Sequence, residues 1–91
     1  MKQYVKKSIP VLALQWTGKN LEEIKSFCTD TDGNIKCFTS NEYLWIETKE
    51  GQLKAVIGDY IMREIKGQFY LYGEHRFNKT YEEFYKKNSL L

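Results

Sequence analysis

The stretch GDYIMREIKGQFYLYGEHRF, residues 58–77, decides how this chain is read. It concentrates tyrosines and phenylalanines, three glycines, the only histidine and both arginines. Alternation sorts its middle: Phe69 and Leu71 face one way, Tyr70 and Tyr72 the other. Gly58-Asp59 and Lys66-Gly67 have the composition of tight turns, so two strands are expected, Tyr60 to Ile65 and Gln68 to Tyr72. Ile61, Ile65, Phe69 and Leu71 are assigned to the core. Tyr60, Tyr70 and Tyr72 are left as a second face, either the wet side of a sheet or a surface that holds something flat.

Working outward, Leu53 to Ile57 precedes this stretch and Tyr43 to Thr48 precedes that. Leu44 and Ile46 alternate against Tyr43, Trp45 and Glu47. Lys49-Glu50-Gly51-Gln52 supplies the turn between them. Ile35 to Phe38 makes a further short strand. Near the N-terminus, Lys6 to Trp16 reads as a strand, with Val11, Ala13 and Gln15 on one side and Leu12, Leu14 and Trp16 on the other. Thr17-Gly18 breaks it, and Asn20 with Glu23 predicts a capping box. Leu21, Ile24, Phe27 and Cys28 form one helical stripe of three turns at most. Phe77, Tyr81, Phe84 and Tyr85 predict a closing helix from about Phe77 to Lys87. The expected fold is α+β: one twisted, mainly antiparallel sheet of about five to six strands, a helix after the first strand and a C-terminal helix.

Ninety-one residues make one domain, 1–91. Fourteen basic against twelve acidic residues leave a net charge of +2. They are interspersed with no basic stripe, so nucleic acid is read as an unlikely partner, whereas a small anion needs only two or three cations. No signal peptide or membrane-spanning segment is read, and two cysteines do not make a secreted framework; a reduced cytoplasm is expected.

No catalytic set is legible. His75 is the only imidazole, no activated nucleophile stands beside it, and the carboxylates show no paired spacing, so the chain reads as a non-enzyme. Cys28, Cys37 and His75 match no zinc spacing. Asp30, Asp32 and Asn34 begin like a calcium loop, but the glycine comes early and the twelfth position is Asn41; an Asx turn is expected. Neither metal nor cofactor is assigned. What remains is aromatic and cationic. Tyr60, Tyr70 and Tyr72 could present π-faces, and Arg63, His75 and Arg76 could meet phosphates or carboxylates. Trp16 and Thr17, at the strand-to-helix junction, either plug the core or add a stacking ring and an anion contact.

Four segments carry a resemblance. Gln15 to Gly18, Gly58 to Ile61, Gly67 to Tyr70 and Phe77 to Glu82 resemble a family of small phage and prophage proteins, mostly uncharacterised. The chain departs from their pattern at Ile57, where proline is frequent, and through residues 71–76. The resemblance implies a phage origin. A small phage protein without catalytic residues is commonly a binder. The expected function is therefore counter-defence by sequestering a small nucleotide-derived immune signal in an aromatic and cationic pocket, formed by Trp16, Thr17, Tyr60, Arg63, Tyr70, Tyr72, His75 and Arg76. A site between subunits of a homo-oligomer, in the host cytoplasm, is the expected setting. The alternative is an inhibitor that covers a host enzyme with its tyrosine-rich face.

Overall fold

The computed structural model describes residue 2, residues 11–64 and residues 67–81. Among these lie β1 (Leu12–Gln15), α1 (Leu21–Phe27), β2 (Cys37–Ser40), β3 (Tyr43–Thr48), β4 (Gly51–Ala55), β5 (Tyr60–Arg63), β6 (Phe69–Tyr72) and α2 (Glu74–Thr80). The class is α+β. The expected single sheet is not found: there are two antiparallel sheets of three strands, ordered β1-β5-β6 and β2-β3-β4.

The division occurs at Gly58-Asp59. These residues were expected to form a hairpin returning β5 along β4; they form a corner that moves the chain to the other sheet. The Asp59 carboxylate accepts from the Val56 amide at 3.0 Å, and the Asp59 amide donates back to Val56 O at 3.0 Å. Gly58 supports the bend at φ +103°, a backbone region that costs a glycine little. The Gly58 amide donates to Trp16 O at 2.8 Å, and the Trp16 amide donates to Asp59 O at 2.9 Å. The Gln15 side chain adds a bond to Gly58 O at 3.0 Å. β5 therefore leaves the corner already paired with β1, Gln15 opposite Tyr60 and Leu14 opposite Ile61.

Alternation then does what the sequence requires. Leu14, Ile61, Phe69 and Leu71 share one face of the first sheet, and Leu44, Ile46, Ala55 and Cys37 share one face of the second. These faces meet where β3 packs on β6. Ile24 and Cys28 of the helical stripe complete a cluster with Cys37, Leu44, Ile46, Ala55, Ile61 and Phe69, all buried. Leu14, Trp16, Leu21, Phe27 and Leu71 pack around it. Burial of each large apolar side chain here contributes roughly 1.5–3 kcal/mol.

Two local details differ from expectation. Asn20 precedes α1 but does not cap it through its side chain. Its amide nitrogen donates to Gln15 O at 2.9 Å and to Glu23 Oε1 at 3.0 Å, and its Oδ1 accepts from the Thr17 amide and hydroxyl, both at 3.0 Å. Asn20 thus ties the helix start back to the end of β1. The second detail is α2, which begins at Glu74, three residues earlier than Phe77. Gly73 is extended at its start, and Tyr81 returns to extended backbone at its end. Phe84 and Tyr85, expected on its stripe, lie outside the described residues, as do Pro10, Ile65 and the segment Lys6 to Ile9 of the expected first strand.

The hairpins are of mixed quality. β3 and β4 join at Lys49-Glu50, with Thr48 opposite Gly51, and the β5–β6 turn is closed by Glu64 N donating to Gln68 O at 3.0 Å. β2 lies two residues later than the expected Ile35 to Phe38 and turns at Asn41-Glu42, with φ of +52° and +69°. Two successive left-handed residues match the type I′ hairpin turn, which favours Asn-Gly. Glu42 carries a Cβ in that region at a cost of about 1–2 kcal/mol. Glu42→Gly is expected to stabilise the fold by about 1 kcal/mol in urea denaturation, part of the strain relief being offset by unfolded-state entropy. Gly18 is the converse case, at φ +85°; an added Cβ would lie 2.8 Å from Ile57 Cδ1. Ile57 is 71% exposed and can move aside, so strain in φ dominates. Gly18→Ala should cost about 1–2 kcal/mol, with little rescue by Ile57→Ala in the double variant.

Candidate functional site: the tyrosine face

The face of the first sheet turned away from the core carries Ala13, Gln15, Tyr60, Met62, Tyr70 and Tyr72. Tyr60 stands opposite Tyr72, and Met62 opposite Tyr70. The three tyrosines expected on one side therefore do share it. They are not a bare platform. α2 folds back over the sheet and stacks Phe77 on Tyr60, ring centroids 3.9 Å apart and planes 8° apart. Tyr81 closes the other end, 5.3 Å from Phe77 and 5.9 Å from Tyr72, tilted to both. Met62, on the same face, is 2% exposed although it lies outside the main cluster. Aromatic pairs of these geometries add about 0.5–1.5 kcal/mol each beyond burial.

One cation joins the cluster. The Arg76 guanidinium, on an exposed residue, sits 3.9 Å above the Tyr72 ring in a cation–π contact. His75, its neighbour, is exposed. Between Tyr72, Tyr81, Tyr70, Met62, Val11 and Glu64 lies a cleft of about 220 Å³. Glu64 gives it an acidic margin. The Tyr70 hydroxyl lies 3.2 Å from Gln68 Oε1 and beside the Glu64 carboxylate, which as a competing acceptor for the phenol proton and as a negative charge holds the phenol above its ordinary pKa. Burial, with Tyr72 alongside, pushes Tyr81 the same way. Both phenols stay neutral donors at ordinary pH.

The remaining candidates lie elsewhere. Arg63 shares the core-side face with Phe69, not the tyrosine face. Its Nη1 donates to Phe27 O at 3.2 Å, and its guanidinium covers the Phe27 ring at 5.1 Å, so it holds the C-terminal end of α1. The cleft beside it, about 440 Å³, is lined by Leu12, Thr29, Asp30, Thr31, Glu64 and Gly67 as well. Two carboxylates, Asp30 and Glu64, share that cleft with the Arg63 guanidinium, and no tyrosine ring lines it. Trp16 packs against the core, and the Thr17 hydroxyl is spent within its own turn, donating to Asn20 and accepting from the Lys19 amide at 3.2 Å. Asp30 forms the expected Asx turn: Oδ1 accepts from the Asp32 and Asn34 amides, both at 2.9 Å. The Asn34 bond is the main reason its pKa falls below the ordinary carboxylate value.

Met62, Phe77 and Tyr81 belong to the site and were not assigned to it from sequence. The available sign was the i, i+4 spacing of Phe77 and Tyr81, which was read as the stripe of a helix without its target. Chemically, the face offers aromatic stacking, neutral phenol donors and one guanidinium. Among the described residues no group of three histidines, cysteines or carboxylates converges to hold a metal ion, and no helix is long and apolar enough to cross a membrane. No protein-family model, curated protein or solved structure matches the chain.

The cysteines are embedded in the core and give a pH test of it. Burial, then the neighbouring Cys37, pushes the Cys28 thiol from 9.0 up to about 12. Below pH 9 both folded and unfolded chains keep the proton, and this thiol leaves stability flat. Above it the unfolded chain ionises first, so stability falls with rising pH until the folded thiol ionises near 12. Urea titrations should show this loss, with a slope from Cys28 of at most about 1.4 kcal/mol per pH unit. Cys28→Ala should flatten that slope over the same range; an unchanged slope would remove Cys28 as its source.

Proposed function

We propose that this is a phage-encoded, non-enzymatic binding protein that counters host defence by sequestering a small nucleotide-derived immune signal. The observation that carries the reading is the corner at which Arg76 covers Tyr72 beside Tyr70 and Tyr81. A planar base finds ring faces there, and an attached phosphate finds a guanidinium. The cleft of about 220 Å³ takes a base but not a whole nucleotide, since pockets for complete small ligands run to about 300–1,000 Å³. The rest of the ligand would lie over Arg76 and His75, against a second copy of the chain. Trp16, Thr17 and Arg63 hold the scaffold in this reading, and Tyr60 holds α2 through Phe77.

Calorimetric titration with a panel of cyclic and ADP-ribose-type nucleotides tests it. One of them should bind and be released intact on heating. Tyr72→Ala and Arg76→Ala should each weaken it about tenfold. Failure of the whole panel, together with stoichiometric capture of one host enzyme, would replace this reading with that of a protein inhibitor.

A further inference from the structure

The outer face of the β2-β3-β4 sheet has a role that the tyrosine site does not use. Register arranges it in three rows across the strands. Phe38, Trp45 and Lys54 form the middle row; Ser40 and Tyr43 lie to one side, with Val56 just beyond β4. Lys36, Glu47 and Gln52 lie to the other side. Aromatic rings therefore occupy the centre of a sheet face that ordinarily carries polar groups. Phe38 and Trp45 lie parallel within 9°, centroids 6.4 Å apart. Phe38 is 37% and Tyr43 49% exposed. Lys54 Nζ stands 4.3 Å from the Tyr43 ring centre. Trp45 Nε1 is the one buried side-chain polar atom without a hydrogen-bond partner among the described residues. A buried donor left unpaired costs about 1–3 kcal/mol, a cost that an acceptor supplied by a ligand would offset.

We propose that this face binds a short single-stranded nucleic acid, two or three bases lying on Phe38, Trp45 and Tyr43 with a phosphate on Lys54. Three features favour this occupant. Exposed aromatics on adjacent strands of an open sheet are the arrangement on which small sheet domains stack two or three bases. Strands about 4.8 Å apart and same-face residues about 7 Å apart give the patch roughly 300 Å². A stable protein pair needs about 800 Å² per partner, so the patch alone is too small to hold a second copy. The charges are also suited to one strand rather than a duplex. Lys36 is engaged by Asp30 and Glu47 at 3.6 and 3.9 Å, which leaves Lys54 as the cation among the rings. Stacking then supplies most of the affinity, and with one cation among the rings the binding is weak, in keeping with the absence of a basic stripe.

Fluorescence anisotropy with a labelled oligothymidylate of about eight residues, at about 50 mM salt, tests the proposal. Binding in the range of roughly 10–100 μM is expected, with at least tenfold weaker binding to a blunt duplex of similar length. Phe38→Ala/Tyr43→Ala should weaken it about thirtyfold or more. Lys54→Glu should weaken it severalfold and lower its dependence on salt. All three positions are exposed, and a urea midpoint confirms that each variant folds. No binding at about 1 mM protein, preference for the duplex, or equal binding by the aromatic variant would overturn the proposal. So would a dimer in sedimentation that the Phe38/Tyr43 variant dissociates, since a second copy would then own the face. None of these outcomes depends on the nucleotide titration, which reads the opposite sheet.

Discussion

The fold depends on the clamp between Trp16 and Gly58-Asp59. Two backbone bonds and the Gln15 amide lock the end of β1 to the corner after β4. This fixes three things together. It takes β5 away from β4, it sets the register of β5 against β1, and it directs the chain toward the packing of β6 on β3. Gly18 and Ile57 meet at the same place, as do Gly58 and Glu74. The Gln-Trp-Thr-Gly and Gly-Asp segments, far apart in sequence, are thus two halves of one structural device. Their residue types follow from backbone geometry there, without any ligand.

The two sheets divide the work. Each gives one face to the shared core and keeps one face outside. On the β1-β5-β6 sheet the outside face is covered by α2, which leaves stacking available only at the Tyr72 and Tyr81 end. On the β2-β3-β4 sheet the rings of Phe38, Tyr43 and Trp45 remain outside, although β-branched and polar residues would serve a solvated face with less apolar exposure. The distribution of cations follows a similar logic. Arg63 is spent on the C-terminus of α1, Lys36 on Asp30 and Glu47, and Arg76 and Lys54 are left over aromatic rings.

Much of the local structure was legible. Period-two alternation correctly separated Ile61, Phe69 and Leu71 from Tyr60, Tyr70 and Tyr72, because side-chain direction in a strand is fixed residue by residue. The stripe of Leu21, Ile24, Phe27 and Cys28 gave a helix against the core for the same kind of reason. The Asn41-Glu42 turn was not legible, since Asn41 admits a left-handed conformation but Glu42, in the place where such turns favour glycine, does not announce one. The site was legible only in part. Tyr60, Tyr70 and Tyr72 fell on one face as alternation requires, but Arg63, two residues after Ile61 and on its face, was placed among them by proximity in sequence alone.

The sequence by itself determined which segments are strands and helices, which side of each strand is apolar, and that the chain is rich in aromatic surface. These properties are written in local periods of two and 3.6 residues. Only the tertiary structure decided that Gly58-Asp59 is a corner between sheets and not a hairpin. The bonds that make it a corner reach more than forty residues back to Gln15 and Trp16, and a turn's own residues specify a bend without specifying the strand that receives it. The same long-range choice decided which rings α2 covers and which the second sheet leaves in the open.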